Sequence, residues 1–77
     1  MMKLDQAQKL KTYRILAIED CDFKARLIQL GFHENSLITL KRKAPIFGNP
    51  LLFDLEDSQI ALTKSEACVI QVEEFNG

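Results

Sequence analysis

The chain has 77 residues and a formal net charge of −1, from 10 Lys and Arg against 11 Asp and Glu. A chain of this length buries about three-fifths of its unfolded surface, which suffices for one lean core. Nucleic-acid binders gain most of their affinity by neutralising phosphates, so the lack of a basic excess disfavours DNA or RNA as the main ligand. We expect a single domain over residues 1–77, with its core at about 4–73.

The cysteines and the start of the chain indicate the compartment. Cys21 and Cys68 are the only two cysteines, whereas small secreted domains usually carry several disulfides. The first residues lack the apolar stretch of a signal peptide, and no apolar run approaches the roughly 18 residues that cross a bilayer. These features predict a soluble, cytoplasmic chain that does not insert into a membrane and whose cysteines are reduced and pack in the core.

The N-terminal part of the chain predicts an arm followed by a strand. Residues 3–11 are polar, with an apolar residue at every third position, which suits a helical turn or an ordered arm. From residue 13 to 18 the period changes to two, and the β-branched and aromatic content favours a strand.

A short helix is expected next. The acidic residues at 19–22 are candidate N-caps. Behind them Phe23, Leu27 and Leu30 stand at i, i+4 and i+7, which is one stripe of a helix. Gly31 follows directly, as a left-handed C-terminal cap requires.

The middle of the chain predicts a turn, a strand and a long loop. Residues 33–36 read as a turn, in which Asn35 tolerates a positive φ. Residues 37–43 alternate as a strand. The basic run at 41–43 is best explained as a solvated strand with Arg42 on the opposite face to its neighbours, and contact with an acidic partner is the alternative. Residues 44–50 form a loop bracketed by prolines.

The C-terminal part predicts three more strands. They are expected at 51–55, at 59–62 and along an alternation from Cys68 to Val72. Between the last two, Thr63 and Glu66 have the spacing of a capping box, which predicts one helical turn. Five strands with one short helix after the first describe a mainly β, SH3-like barrel. The residues expected in its core are Leu27, Leu30, Ile38, Leu40, Phe53, Ile60, Leu62 and Ile70.

Four motifs in register resemble the FeoA domain family. The sequence R-L-I-Q-L-G-F at 26–32 is similar to the family's R-L-x-x-L-G-[LF] element, and R-K-A-P at 42–45 to its basic pair before Ala-Pro. G-N-P at 48–50 resembles Gly-Asp-Pro, and residues 60–70 resemble L-A-L-R-x-x-E-A-x-x-I. The resemblance spans residues 4–72.

Some positions depart from the family pattern. Asn35 replaces a glycine, Thr63 and Lys64 replace a basic pair, and Phe47 lengthens the loop by one residue. Asparagine shares the left-handed tolerance of glycine, so the turn is expected to survive.

The resemblance implies an SH3-like accessory protein of bacterial Fe²⁺ uptake that is not an enzyme. Its partner would be FeoB, a membrane transporter with a cytosolic GTPase domain, which this chain would bind and modulate. The protein would then lie in the bacterial cytoplasm, at the inner face of the membrane through that partner. Whether it activates or restrains transport stays open, as does a homo-oligomer.

The motifs of common enzyme sites are missing from the sequence. There is no phosphate-binding G-x-x-x-x-G-K-[ST], no G-x-G-x-x-G and no H-E-x-x-H. No spacing brings a cysteine to the lone His33. We therefore expect no catalytic residues and no bound cofactor.

A metal site is the alternative function. Cys21, Asp22 and His33 offer a thiol, a carboxylate and an imidazole, all of which can bind Fe²⁺ or Zn²⁺. Acids ahead of a helix are equally favoured by N-capping and by the helix dipole, however. A transition-metal-binding or metal-responsive SH3-like domain thus remains the second hypothesis.

The candidate docking surface combines the helix with the proline-bracketed loop. Apolar residues at a loop tip either pack back on the barrel or form a contact surface, and the sequence leaves both open. The predicted partner-binding residues are Arg26, Phe32, Pro45, Ile46, Phe47 and Pro50.

Overall fold

The computed structural model describes residues 2–44 and 47–77. Its elements in chain order are β1 (Met2–Lys3), a 3-10 turn (Leu4–Gln6), β2 (Thr12–Ile18), α1 (Lys24–Gln29), β3 (Leu37–Lys43), β4 (Leu51–Leu55), β5 (Ser58–Leu62), α2 (Lys64–Ala67) and β6 (Ile70–Glu74). In this part of the chain no helix is long and apolar enough to cross a membrane.

The strands form one antiparallel sheet in the order β1-β6-β2-β3-β4-β5. The expected mainly β architecture is confirmed, with six strands instead of five because Met2 pairs with Val72 and so adds β1 at one edge. Helix α2 contacts both β5, at the other edge, and the 3-10 turn that follows β1. It therefore closes the space between the two edges of the sheet.

Alternation along the strands builds the core. In β4, for example, Leu51, Phe53 and Leu55 are buried while Leu52 and Asp54 between them are half-buried. The fully buried side chains come from most elements: Leu4, Tyr13, Ile15, Leu27, Phe32, Ile38, Leu40, Leu51, Phe53, Leu62, Ile70 and Val72.

The predicted glycine cap of helix α1 is confirmed. Gly31 has φ +106°, and its N–H donates to the Ile28 carbonyl at 3.0 Å. The Phe32 N–H donates to the Leu27 carbonyl, also at 3.0 Å. These two bonds define a Schellman motif. The motif turns Phe32 under the helix, where it and Leu27 are fully buried.

Three details differ from the sequence expectations, two at helix α1 and one in β5. Leu30 is 41% exposed, because α1 ends at Gln29 and the i+7 position lies beyond it. The acids at 19–22 do not cap the helix, since Phe23 occupies the N-cap without a side-chain hydrogen bond. Ile60 only packs against the margin of the core, since β5 is an edge strand.

Other local predictions are confirmed. Asn35 has φ 71°, and its N–H donates to the Ile15 carbonyl at 2.8 Å. The N-terminal arm is the 3-10 turn Leu4–Gln6, and Leu4 and Ala7 anchor it in the core.

Leu27 and Leu30 form a matched pair for testing the packing of α1. Leu27→Ala should lower the free energy of unfolding by about 2–5 kcal/mol, because it empties a fully buried site. Leu30→Ala should cost well under half as much, because Leu30 keeps a large exposed fraction. Urea unfolding of both variants measures this, and equal losses would contradict the helix end at Gln29.

Candidate functional site

The loop between β3 and β4 projects an aromatic ring into solvent. Its ends are joined where the Ala44 N–H donates to the Pro50 carbonyl at 3.0 Å. Phe47 and Gly48 both have positive φ, 61° and 62°. Phe47 is 90% exposed. Of the two alternatives for the loop tip, packing back on the barrel is therefore excluded for Phe47.

Helix α2 holds this loop at two points. The Lys64 backbone N–H donates to Asn49 Oδ1 at 2.9 Å, and the Lys64 ammonium donates to the Phe47 carbonyl at 3.2 Å. The first N–H groups of a helix have no partner within the helix. Asn49 thus caps α2 from a distant part of the chain, and in return Lys64 holds the loop at Phe47 and Asn49.

The predicted capping box positions α2 itself. The Glu66 N–H donates to Thr63 Oγ1 at 3.2 Å, and the Thr63 N–H donates to Glu66 Oε1 at 2.9 Å. The other carboxylate oxygen of Glu66 accepts a hydrogen bond from the Arg26 guanidinium of α1. Helix α2 therefore connects α1 on one side with the loop on the other.

These contacts keep Glu66 charged. The Thr63 N–H lowers the pKa of Glu66 below its ordinary 4.5, partial burial acts in the opposite direction, and the hydrogen bond from Arg26 lowers it further. A hydrogen bond to the charged form of an acid has this effect because it stabilises the carboxylate and not the carboxylic acid.

A groove of about 370 Å³ borders the loop on the outer face of β3, β4 and β5. Arg42, Leu52 and Ala61 are cross-strand neighbours in these three strands. A bulge between Leu40 and Arg42 shifts the register of β3. The bulge is the reason that Arg42 lies on the outer face, although simple alternation had placed it on the other. The groove is lined by Arg42, Lys43, Ala44, Pro50, Leu52 and Ala61.

The structure divides the predicted partner-binding residues. Phe32 is fully buried beneath the cap of α1, so its assignment to the contact surface was wrong for a folded protein. Arg26 keeps a side-chain exposure of 53% while paired with Glu66. Pro50 is exposed at the groove. Pro45 and Ile46 lie outside the described residues.

A second groove, of about 440 Å³, lies between β2 and α1. It contains His33, whose Nδ1 is 3.1 Å from Ser36 Oγ, and the half-exposed Ile28. Its lining is Ala17, Ile18, Lys24, Ile28, His33 and Glu34.

The candidate metal ligands do not come together. Among residues 2–44 and 47–77, no group of three or more His, Cys, Asp or Glu side chains is placed to hold a metal ion. Cys21, Asp22 and His33 therefore do not form the site that the sequence hypothesis required.

The expectation that both cysteines pack in the core was wrong. Cys21 and Cys68 are each only half-buried. Cys68 ends helix α2, where its thiol lies 3.0 Å from the Ser65 carbonyl, and β6 begins only at Ile70.

Several residues of the site were not singled out from the sequence. The capping box did predict the helical turn that begins at Lys64, and alternation in the strand at 51–55, with Phe53 in the core, would place Leu52 outward. No sequence signal pairs Asn49 with Lys64, because that contact depends on how β4 and β5 bring the loop back to the helix.

Comparisons with known proteins agree with this description. The FeoA domain model matches residues 2–74. The structure is similar to iron(II) transport protein A from Clostridium thermocellum, with 28% identity, a TM-score of 0.89 and coverage of 99% of this chain and 47% of that one. This chain thus spans about half the length of that relative.

Two further solved structures are similar. A zinc-complexed FeoA from Stenotrophomonas maltophilia, described as a prokaryotic SH3 domain protein, is 26% identical, with a TM-score of 0.82 and coverage of 95% of this chain and 91% of that one. A FeoA-like protein from Clostridium acetobutylicum, at 23% identity, shares the fold with a TM-score of 0.89 and coverage of 99% and 88%. No curated protein sequence matches the chain. The SH3-like fold is confirmed.

The Glu66 contacts predict a pH dependence. Since the folded-state pKa lies below the ordinary 4.5, the carboxylate stabilises the fold fully above that pH, and this stabilisation is lost as the pH falls through the folded pKa. Glu66→Gln should therefore be less stable than wild type at neutral pH, and the two should converge in acid. Thermal melts over the acid range measure this. A stability difference that persists unchanged to about pH 2 would contradict the account.

Proposed function

We propose, since the chain belongs to the FeoA family, that it is a small accessory protein of bacterial Fe²⁺ uptake without catalysis of its own. Its role would be to bind and modulate the transporter FeoB in the cytoplasm, at the cytosolic GTPase domain. Support comes from the family match over residues 2–74 and from the name of the C. thermocellum relative, iron(II) transport protein A.

The observation that carries the docking proposal is the exposed ring of Phe47. Full burial of a phenylalanine side chain is worth about 1.5–3 kcal/mol, and at 90% exposure Phe47 realises little of this within the domain. That free energy is available when a partner covers the ring. Aromatic side chains are also enriched among the residues that dominate protein–protein binding.

The described tip of the loop, residues 47–50, is suited to docking because helix α2 already holds its backbone. Binding through a mobile loop costs about 0.5–1.5 kcal/mol for each side chain that must be immobilised, and more for the backbone. Here the Asn49 and Phe47 contacts with Lys64 fix the backbone before any partner arrives.

We do not extend the proposal to a resident metal. The S. maltophilia FeoA is complexed with zinc, but in the described part of this chain Cys21, Asp22 and His33 form no ligand group.

Phe47→Ser tests the docking proposal. The melting temperature should remain nearly that of wild type, because the ring makes little contact with the barrel. Binding to the cytosolic domain of FeoB from the same genome should weaken by about 1 kcal/mol or more, roughly fivefold. Isothermal titration calorimetry on one purified variant gives the affinity, and a thermal melt gives the stability.

Phe75→Ser is the matched control. Phe75 is also an exposed phenylalanine, at 39%, and it follows β6, which the order of the sheet separates from β4 by two strands. Its truncation should leave the affinity for FeoB unchanged. Full-strength binding by folded Phe47→Ser, or equal losses in both variants, would remove the loop as the contact site.

A further inference from the structure

Three cations beside the loop have no acidic partner among the described residues. The cations that do form ion pairs there are Lys3, Lys11, Arg14, Lys24, Arg26 and Lys41. Arg42, Lys43 and Lys64 take part in none of these pairs. On a chain whose net charge is −1, their clustering makes this face locally positive.

Their positions are close to one another. Lys43 and Lys64 both lie next to Gly48, since a Cβ atom placed on that glycine would be 3.6 Å from Lys64 Nζ and 3.8 Å from Lys43 Cδ. Arg42 and Lys43 both line the groove beside the loop. The Asp54 carboxylate of β4 is 3.4 Å from the ammonium of Lys41, the β3 residue next to Arg42. Asp54 is therefore already paired with Lys41.

The floor between these charges is apolar. Leu52 and Ala61 face outward from adjacent strands at the same register, and Pro50 borders them at the end of the loop. A volume of about 370 Å³ is at the lower end of the usual range of ligand pockets, about 300–1,000 Å³. It accommodates a few side chains and not the face of a folded domain.

We propose that this groove binds a short acidic segment of a partner protein, which places an aliphatic side chain on Leu52, Ala61 and Pro50 and carboxylates beside Arg42 and Lys43. The proposal rests on the proposed function and names the chemistry of the segment that FeoB or an associated protein would present. Opposite charges at the rim would set orientation and association rate, and the apolar floor would add affinity.

An acidic peptide fits the groove better than a nucleic acid does. Phosphodiesters would meet the same cations, and a base could stack on the exposed Phe47 ring at the loop tip, but the floor of the groove itself is aliphatic and gives successive bases nothing to stack on. Single-stranded DNA is nevertheless the appropriate competitor in a test.

The test uses fluorescein-labelled peptides of about ten residues, long enough to cross three strands spaced about 4.8 Å apart. Their sequences alternate Glu with Leu, Gln with Leu, Lys with Leu, or Glu with Ser. Fluorescence anisotropy with the wild-type chain should show the Glu–Leu peptide binding at least threefold more tightly than the Gln–Leu and Lys–Leu peptides, which lose the exposed ion pairs. It should also bind more tightly than the Glu–Ser peptide, which leaves the apolar floor uncovered.

Matched variants locate the binding. Arg42→Gln combined with Lys43→Gln should lower the affinity for the Glu–Leu peptide at least threefold. A higher salt concentration should also lower the affinity of the wild type for this peptide, because salt screens exposed charges. Lys9→Gln removes an exposed cation that also lacks an ion pair among the described residues but lies outside the groove lining. It should bind as wild type does.

Clear outcomes would overturn the inference. They are equal affinity for the Gln–Leu and Glu–Leu peptides, an unchanged affinity in the variant at 42 and 43, or tighter binding of single-stranded DNA than of the Glu–Leu peptide. Melting curves of all variants show whether each is folded.

The FeoB cytosolic domain separates this inference from the proposed function. If wild type does not bind that domain, the proposed function fails, while the peptide series still decides the chemistry of the groove. If the domain binds the wild type and the variant at 42 and 43 with equal affinity, FeoB does not bind at the groove, and the proposed function stands.

Discussion

The hydrogen bonds that begin helix α2 are the constraint on which the site depends. Thr63 and Glu66 satisfy each other's backbone N–H groups, at a value of about 1 kcal/mol for such a cap. They start the helix at Lys64, which places that residue against the loop and leaves one Glu66 oxygen for Arg26. Helix α2 (Lys64–Ala67) also contacts β5 and the 3-10 turn after β1. The helix that holds the loop therefore also closes the sheet.

Local signals in the sequence were sufficient for much of the fold. The bounds of β3 and β4, the glycine cap at Gly31 and the turn at Asn35 follow from alternation and from backbone conformations that few residues adopt. The capping box is equally local, since its two side chains are three positions apart. The order of the predicted elements already indicated an SH3-like barrel, and family motifs distributed along the whole chain implied the same fold, whereas local rules do not determine which strands pair.

The errors came from extending a period beyond the element that produces it. Leu30 was placed in the core by helical spacing, but the Schellman motif ends α1 first and turns Phe32 inward in its place. Cys68 was placed in a strand by alternation, but it ends α2. Arg42 was assigned to the wrong face because a bulge in β3 depends on pairing with β4, which the sequence of β3 alone does not show.

The loop face, with Phe47 at its tip and the groove beside it, is where we propose that a partner binds. Nitrogen-15 amide spectra of the labelled chain, titrated with the FeoB cytosolic domain, test this residue by residue. Binding at the loop face should shift the amides of Gly48, Asn49, Ala61 and Lys64 most. Shifts concentrated at Ile18, Ile28 and His33 of the second groove, with the loop amides unchanged, would contradict it.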